Sequence, residues 1–403
     1  MVPIKFQSGL PERERQLARD CIESVLRAVD PSRATAAHLK HLPIDQPAHI
    51  LAFGKASIAM TRGAIEQLRD RFARATVLAP EPMALDAQFK SKLVATYPCD
   101  HPLPTQRNID ATRELLDHAR SIPDDHRALV LISGGGSAML CAPRPRVTLD
   151  EIRRQTNDML RKGAAIGEIN AARAQLETLK DGGLAHEIRH VRERFVLLLS
   201  DVIGDDPAVI ASGPMHDAHP PSTPHMIIAG NNTALDALGA WCARSEIACT
   251  NITRGITGEA AEAGRSLAQA LIDNAPGTPA AVALGGEPTV NTGDSDGIGG
   301  PALELGLAAA HALADADFDW TVITLTTDGI DGPGEAAGCV LTASMLSNPA
   351  KRDELARALK DHDTRTMCDT LGATITTGPT GTNVNDVAIA IRWPDSAPAS
   401  SNT

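Results

Sequence analysis

The amino-acid sequence predicts an α/β protein built from two doubly wound, Rossmann-like domains with a cleft between them. Short apolar runs that are typical of buried strands alternate with longer segments of helical periodicity, and this order favours parallel sheets. A proline-rich segment without periodicity, residues 215–225, interrupts the alternation, which then restarts. A chain of 403 residues is long enough for two such domains.

The N-terminal half begins with a helix and continues with alternating strands and helices. Apolar side chains recur every four residues from Leu17 to Val29 and indicate an amphipathic helix over 11–29, which the following Asp-Pro pair ends. Thr105 is the expected cap of a later helix. The run at 195–200 is almost wholly apolar, which predicts burial on both faces. The predicted strands are 49–53, 75–79, 93–97, 128–132 and 195–200, with helices at 56–72, 105–119 and 149–166, and the segment 170–184 carries Arg173 and Lys180.

The C-terminal half repeats the same alternation. We assign residues 1–224 to an N-terminal domain, 225–393 to a C-terminal domain, and the Ser/Pro/Ala-rich residues 394–403 to a disordered tail. The predicted strands of this half are 226–229, 247–253, 280–284, 320–325, 373–377 and 387–393, and the predicted helices are 233–243, 259–272 and 302–313.

Composition and charge narrow the class of protein. The formal net charge of −12 argues against nucleic acid as a main partner, because phosphate backbones require clustered Lys and Arg. No apolar run reaches the roughly 18 residues of a membrane span, and the N-terminus lacks the apolar core of a signal peptide. The seven cysteines form no C-x-x-C pair, which is typical of reduced thiols in the cytoplasm. We therefore expect a cytoplasmic protein with small-molecule partners, as a monomer or a homodimer.

A glycine-rich loop follows the predicted strand at 128–132. Its residues are Ser133, Gly134, Gly135, Gly136 and Ser137. Three glycines let the backbone turn tightly and approach a ligand closely, and the start of a helix places unpaired N–H groups at the same point. The loop is therefore either a tight turn from strand to helix or a binding site for a phosphate or carboxylate.

Charged side chains follow two other predicted strands of this half. Lys55 comes just after the strand at 49–53, where its ammonium could reach a bound anion or remain at the surface. Asp201 follows the strand at 195–200, with Asp205 and Asp206 close behind it. These carboxylates could hold Mg²⁺ or accept a hydroxyl proton, and the last two could instead cap a helix.

Three polar loops follow strands of the C-terminal half. Ligands of open α/β sheets bind at the carboxyl ends of strands, so these loops are candidates for a ligand site. Their Asp-Gly and Gly-Pro pairs are also ordinary turn sequences. The residues of interest are Glu287 in the first loop, Asp328 and Asp331 in the second, and Thr380, Thr382, Asn383 and Asn385 in the third.

Most established motifs are absent from the sequence. There is no G-x-x-x-x-G-K-[ST] phosphate loop, no dinucleotide fingerprint after the first strand and no G-x-S-x-G elbow. One H-E-x-x-H occurs at His186–His190, which would suit zinc if it lay on a helix and is otherwise a charged helix end. His216, His219 and His225 are either a second metal site or part of a solvated loop.

Nine polar and glycine-rich segments stand in a specific order along nearly the whole chain. They are GKA at 54–56, DHPLP at 100–104, SGGGSA at 133–138, EINAAR at 168–173, LKDGGLA at 179–185, SDVIGDDPAVIASGP at 200–214, GGEPTV at 285–290, TDGIDGPGEAAG at 327–338 and TGPTGTNVNDV at 377–387. As an ordered set they resemble the glycerate 2-kinases of the MOFRL family, which are often named hydroxypyruvate reductases.

The resemblance implies ATP-dependent phosphorylation of D-glycerate at its 2-hydroxyl, with Mg²⁺, in a two-domain α/β enzyme. The family's active-site lysine falls on Lys55, which would neutralise charge during phosphoryl transfer. Asp201 would bind the metal or activate the hydroxyl, with Asp205 as a second metal ligand. The residues expected to bind substrate or phosphate are Ser133, Gly134, Gly135, Gly136, Ser137, Arg173, Lys180 and Glu287. The residues expected on the nucleotide side are Asp328, Asp331, Thr380, Thr382, Asn383 and Asn385.

One departure from the family pattern lies at 299–304. The family reads G-G-R-N-Q-E there, whereas this chain reads GGPALE, with Pro301 in place of an arginine that is thought to serve the active site. Proline cannot replace a guanidinium that binds an anion, and losing such a contact costs about 2–4 kcal/mol in a transition state. The alternatives are therefore a kinase of another small hydroxy acid, recruitment of Arg173, a weak kinase or a non-catalytic binding protein. An NAD(P)H-dependent hydroxypyruvate reductase is a further alternative, against which the missing dinucleotide fingerprint argues.

Overall fold

The computed structural model describes residues 2–81, 93–161, 166–216, 223–273, 279–293 and 295–394. These residues form two compact units, which confirms the predicted two-domain α/β fold class. The six-stranded unit comprises Asp30–Gly230 and Gly381–Asn383, and the seven-stranded unit comprises the described residues of Met1–Val29, Asn231–Thr380 and Val384–Thr403. The predicted tail beyond residue 394 and most of the predicted linker lie outside the described residues.

Strands and helices alternate through most of the chain. The strands are β1 (Lys5–Phe6), β2 (Ala48–Phe53), β3 (Phe72–Ala79), β4 (Val94–Pro98), β5 (Arg127–Ser133), β6 (Glu193–Leu199), β7 (His225–Ala229), β8 (Ala248–Glu259), β9 (Ala280–Thr289), β10 (Trp320–Thr326), β11 (Gly338–Thr342), β12 (Thr374–Thr376) and β13 (Asp386–Arg392). The helices are α1 (Glu12–Ala28), α2 (Pro31–Leu39), α3 (Ser57–Leu68), α4 (Gln106–Ser121), α5 (Gly136–Met139), α6 (Leu149–Arg161), α7 (Ile166–Leu176), α8 (Gly183–Glu187), α9 (Asn231–Arg244), α10 (Ala260–Ile272), α11 (Pro301–Ala312), α12 (Pro349–Lys360) and α13 (Thr364–Leu371).

The six-stranded sheet is parallel throughout and has the order β4-β3-β2-β5-β6-β7. Numbered along the chain within this unit, the order is 3-2-1-4-5-6, which is the Rossmann order. Its direction reverses between β2 and β5, so the loops after these two strands bound a crevice at the carboxyl edge. Every residue of β5 is buried, as its apolar run predicts for a central parallel strand.

Local sequence signals explain several element ends in this unit. The Thr105 side chain accepts from the backbone N–H of Arg107, and Thr105 and Asn108 form a capping box at the start of α4, so the predicted cap is confirmed. The Asp-Pro pair that ends α1 also begins the next helix, which the sequence reading missed. The Asp30 side chain accepts from the backbone N–H of Arg33, and Pro31 occupies the first position of α2, where proline is favoured.

The seven-stranded sheet is mixed, so the expectation of a parallel sheet was wrong for this unit. Its order is β1-β12-β11-β10-β13-β9-β8, and only β8 and β9 pair in parallel. The connection from Thr326 to Gly338 contains no helix. It is too short for a parallel crossover, and β11 therefore returns antiparallel to β10.

Two elements lie in different units from those expected at the sequence level. Strand β7, predicted to open the C-terminal domain, pairs in parallel with β6, with Leu197 opposite Met226. Helix α1, predicted in the N-terminal domain, packs against α9 and β10 of the seven-stranded unit. Its apolar face includes Cys21 and Val25, which line a small interior space with Leu238. A periodic pattern identifies the buried face of a helix but not the sheet that covers it.

Two bulk features bear on the expected setting of the protein. No helix in the described part of the chain is long and apolar enough to cross a membrane. All seven cysteines lie within the described residues, and each is a free thiol.

Candidate active site

The loops after β2 and β5 meet at the point where the strand order of the six-stranded sheet reverses. The backbone N–H of Lys55 donates to the carbonyl oxygen of Gly134 at 2.9 Å, and that of Ala56 donates to Oγ of Ser133 at 2.9 Å. Gly54 has a φ of +116°, and a Cβ there would lie 2.4 Å from the Ser133 carbonyl oxygen. Only glycine permits this approach, which joins the two predicted loops into one structure.

Three chemically different side chains lie against the turn formed by Gly134 and Gly135. A Cβ on Gly134 would stand 1.9 Å from Oδ2 of Asp201. A Cβ on Gly135 would stand 3.0 Å from a ring carbon of His101 and 3.3 Å from Cγ of Lys55. The lysine is exposed and Asp201 is half-buried. An ammonium, an imidazole and a carboxylate thus surround a glycine turn, as the sequence predicted for Lys55 and Asp201 but not for His101.

The protonation of two of these groups is shifted by their surroundings. Burial raises the pKa of Asp201 above its ordinary value, and a hydrogen bond from its own backbone and the charge of Lys55 offset part of that rise. Desolvation, followed by the positive charges of Lys55 and Arg173, lowers the pKa of His101 to about 4. His101 is therefore neutral at pH 7, and Asp201 is a better proton acceptor than an ordinary aspartate.

Ser137 is connected to two polar residues that the sequence reading did not single out. Its hydroxyl lies 2.7 Å from Oγ of Ser212, which donates to Oδ1 of Asn170 at 2.7 Å. Ala211 and Ser212 have φ values of +52° and +63°, which non-glycine residues adopt rarely. Both polar residues lie within the segments EINAAR and IASGP, but neither carries a charge that would mark it out.

Arg173 and Lys180 lie beneath the glycine-rich loop. The Lys180 Nζ donates to the carbonyl oxygens of Ser137 and Leu140 at 2.6 and 2.7 Å, and the residue is only 2% exposed. Arg173 donates from Nη2 to the Ser137 carbonyl at 3.0 Å. Helix α7 ends at Leu176, and the chain then turns back under the loop. Lys180 therefore supports the loop and does not reach a ligand directly.

The two predicted metal ligands, Asp201 and Asp205, lie against different glycines. Asp201 lies against Gly134, whereas Asp205 lies against Gly230, where a Cβ would stand 2.8 Å from Oδ1 of Asp205. Among the described residues, no group of three or more His, Cys, Asp or Glu side chains could hold a metal ion. Mg²⁺ bound through phosphates needs only one or two protein carboxylates, so Asp201 alone fits that use.

The two histidine-based metal hypotheses receive no support. Helix α8 ends at Glu187, so His186 and His190 do not share a helical face. Glu187 forms an ion pair with Arg120 at 2.8 Å, and the His190 ring bonds the carbonyl of Ile122. The zinc-peptidase interpretation was therefore wrong. In the second cluster, His219 lies outside the described residues.

In the seven-stranded unit, hydrogen bonds join two of the predicted polar loops. The Thr327 hydroxyl donates to the carbonyl of Asn385 and accepts from the backbone N–H of Val384, both at 2.8 Å. The Thr380 hydroxyl donates to the carbonyl of Thr327 at 2.5 Å. Asp328 accepts from the backbone of its own turn, at Ile330 N–H, 3.1 Å away. These contacts fix the loops after β10 and before β13 as one polar edge.

Acidic side chains gather at this same edge of the seven-stranded unit. Burial raises the pKa of Asp386 well above its ordinary value, and the charges of Asp331, Asp328 and Glu287 add to that rise, while a hydrogen bond with Thr326 opposes it. Glu287, predicted to bind substrate or phosphate, is exposed. The predicted residues Thr382 and Asn383 belong instead to the six-stranded unit, through the segment Gly381–Asn383.

Asp331 occupies the start of α11. Its two carboxylate oxygens accept from the backbone N–H groups of Ala302 and Leu303 at 3.0 and 2.8 Å. Pro301 stands at the first position of that helix, where its missing N–H costs nothing. Asp331 was predicted on the nucleotide side, but its oxygens already serve the helix. Pro301 is therefore compatible with the helix start that Asp331 caps.

The pH dependence of stability provides a test of the Asp331 environment. Burial, with added repulsion from Asp328 and Glu304, raises its pKa to about 6 despite the two N–H bonds. The native protein then binds a proton that the unfolded chain has already lost between about pH 4 and 6, so its stability falls as pH rises through that range. Between pH 4 and 7, Asp331→Asn should remove about 2–3 kcal/mol of this fall in unfolding free energy.

Urea unfolding at several pH values from 4 to 7 measures this difference. The exposed Asp315, in the same unit, supplies the control substitution Asp315→Asn, which should leave the pH dependence unchanged. Parallel stability curves for the wild type and the Asp331→Asn variant over this range would contradict the assignment of the titration to Asp331.

Comparisons with known proteins match most of the chain. Residues 17–236 match the family described as a domain of unknown function, DUF4147, and residues 280–386 match the MOFRL family. The D-glycerate 2-kinase of Thermotoga maritima is 30% identical over 419 residues, which cover 94% of this chain and 99% of that protein. Human glycerate kinase is 29% identical over 96% of this chain and 94% of its own length.

The fold of this chain is also similar to that of solved protein structures. A crystal structure of glycerate kinase from Thermotoga maritima superposes with a TM-score of 0.87 at 29% identity, covering 95% of this chain and all (100%) of that one. A Pyrococcus horikoshii protein structure gives a TM-score of 0.80 at 26% identity, covering 94% and 99%. The chain therefore belongs to the MOFRL-containing glycerate kinase family.

Proposed function

We propose that this protein is a glycerate 2-kinase, which transfers the γ-phosphoryl group of ATP to the 2-hydroxyl of D-glycerate. The observation that carries the proposal is the meeting of Lys55, His101 and Asp201 on one glycine turn, at the reversal point of a Rossmann-ordered sheet. Ligands of such sheets bind at this point. The relatives named as glycerate kinases supply the substrate class.

The site contains the groups that such a transfer requires. The 2-hydroxyl oxygen attacks the γ-phosphorus, its proton passes to the Asp201 carboxylate, and the bond from the γ-phosphorus to the bridging oxygen breaks to release ADP. The raised pKa of Asp201 suits this proton transfer. Lys55 neutralises negative charge on the transferred group, and the backbone of the loop at 133–137 approaches the phosphate or the glycerate carboxylate.

Mg²⁺, when bound with the nucleotide, neutralises phosphate charge. Asp201 is the carboxylate of this site that fits it as a ligand, and a metal ligand would use the same ionised form. For the nucleotide side we propose Thr382 and Asn383, which belong to the six-stranded unit. The free thiols support a reducing location such as the cytoplasm.

The proposal is tested by ADP release with ATP and a panel of short-chain hydroxy acids. Turnover with D-glycerate that depends on Mg²⁺, with 2-phosphoglycerate as the product by ³¹P NMR, is expected. Turnover with a different hydroxy acid instead of D-glycerate would change the assigned substrate. That result would agree with Pro301 standing where the resemblance leads us to expect arginine. NADH oxidation by hydroxypyruvate without ATP turnover would replace the kinase by a reductase.

A further inference from the structure

A cluster of three buried charged side chains lies under the glycine-rich loop. It consists of Arg173, Glu177 and Lys180, whose exposed fractions are 7%, 0% and 2%. Oε1 of Glu177 accepts from Nε of Arg173 at 3.2 Å, and Oε2 lies 3.6 Å from Nζ of Lys180. Burying charges costs free energy unless they are paired and bonded, so their presence here calls for an explanation.

The two cations converge on one residue of the loop. Lys180 Nζ and Arg173 Nη2 both donate to the carbonyl oxygen of Ser137, at 2.6 and 3.0 Å, and the Ser137 hydroxyl is bonded to Ser212. Lys180 also donates to the carbonyl of Leu140, the residue that follows α5. The loop from 133 to 140 is thus fixed from below through its backbone.

We propose that Lys180 is a positioning residue for phosphoryl transfer, and that its ammonium, paired with Glu177, holds the loop at 133–140 in its reactive arrangement. The inference rests on the kinase proposal for its effect on rate. It differs from a ligand-binding role, because Nζ is directed to backbone carbonyls and the side chain is wholly buried (0% exposed).

The N–H donors of the protonated Lys180 side chain suit the groups around Nζ. An ammonium has three N–H donors: two bond the carbonyls of Ser137 and Leu140, and its charge is also paired with the carboxylate of Glu177, whose Oε2 lies 3.6 Å from Nζ. The neutral amine has two donors and a lone pair, so one acceptor would face that lone pair. Loss of the proton therefore weakens the attachment of the loop.

The proton is lost in an accessible pH range. Burial lowers the pKa of Lys180 to about 8; the charge of Glu177 opposes this effect, the charge of Arg173 adds to it, and the third titratable neighbour is the Cys141 thiol. These three are the titratable or charged groups that act on the ammonium from the segments packed around it. Burial raises the pKa of the Cys141 thiol to about 12, so Cys141 stays neutral while Lys180 titrates.

The experiment compares pH profiles of kcat/KM for the wild-type protein and Lys180→Met. We expect the wild type to lose activity above about pH 8, and the variant to be about ten- to a hundredfold slower at pH 7, mainly in kcat, without that alkaline loss. Arg144→Met is the matched control, because Arg144 is an exposed cation that donates to a backbone carbonyl of α7, at Ala174, and not to the loop. Its profile should equal that of the wild type.

A second variant keeps the test decisive if Lys180→Met does not fold. Glu177→Gln removes the charge that raises the pKa of Lys180, so the alkaline loss should move to lower pH by about one unit. An alkaline loss that persists in Lys180→Met, or that stays in place in Glu177→Gln, would overturn the proposal.

Hydrogen exchange at pH 7 separates this inference from the proposed activity. Peptides covering 133–140 should exchange at least about tenfold faster in Lys180→Met than in the wild type, because their backbone attachment is lost. A wild-type protein that turns over no hydroxy acid would defeat the kinase proposal but leave this measurement intact. Equal exchange in the two proteins would defeat the positioning role alone.

Discussion

Replacing Lys55 by alanine is expected to lower kcat/KM for ATP-dependent phosphorylation of D-glycerate by about 100- to 1,000-fold. The side chain is exposed and lies against the turn at Gly135, next to His101. An exposed lysine contributes little packing, so the folded structure should remain. The lysine places a positive charge beside this turn, and phosphoryl transfer depends on neutralising charge at the transferred group.

The control for this substitution is Lys40→Ala in the same unit. Lys40 is also exposed, but it lies at the end of α2 and away from the loops after β2 and β5. The Lys40 variant should keep wild-type kcat/KM, and both variants should keep the wild-type melting temperature. If Lys55→Ala retained full activity, Lys55 would have no part in the mechanism.

The six-stranded unit was largely predictable from the sequence, and the reason is local. Its central strands β2, β5 and β6 are nearly continuous apolar runs because both faces of a parallel sheet are covered. Glycine and a charged residue follow these runs, and that pattern marks the carboxyl edge where ligands bind. Lys55, Asp201 and the loop at 133–137 were predicted as site residues for this reason.

The seven-stranded unit was less predictable, because its pairing depends on distant segments. Strand β1 has two residues and exists only through pairing with β12, more than 360 positions away. Strand β11 follows a loop whose sequence is typical of turns. Strand β13 is antiparallel to both β9 and β10, and its apolar pattern does not indicate this direction. Periodicity indicates a strand, whereas its neighbours are set by the tertiary fold.

The site residues divide in the same way. The residue type identifies a charged group but not the direction of its side chain. Lys180 and Asp331 were therefore predicted to bind ligands, although in the structure each forms hydrogen bonds with nearby backbone groups. His101, Ser212 and Asn170 were missed because their positions in the site come from contacts across more than 30 positions of the chain, such as Ser212 with Asn170 and His101 with Gly135. Of the sequence signals, only the ordered set of nine segments included these three residues.

Gly54→Ala should destabilise the six-stranded unit by about 2–6 kcal/mol. Alanine at a φ of +116° costs about 1–3 kcal/mol in backbone strain. The new Cβ would also stand 2.4 Å from both the carbonyl oxygen and Oγ of Ser133, and relieving that overlap costs about 1–3 kcal/mol more. The melting temperature should fall by about 4–24 °C.

Gly204→Ala separates the two contributions to this loss. Gly204 lies in the same unit with a φ of +89°, but no atom lies within 4 Å of a Cβ built there. It should therefore show only the backbone cost, about 1–2 kcal/mol, in the same urea or thermal measurement. Equal losses of unfolding free energy in the two variants would mean that the loops after β2 and β5 move apart at little cost to accept the new methyl group. A larger loss at Gly54 would show that they form one stiff edge, against which Lys55 and the glycine-rich loop are held in register.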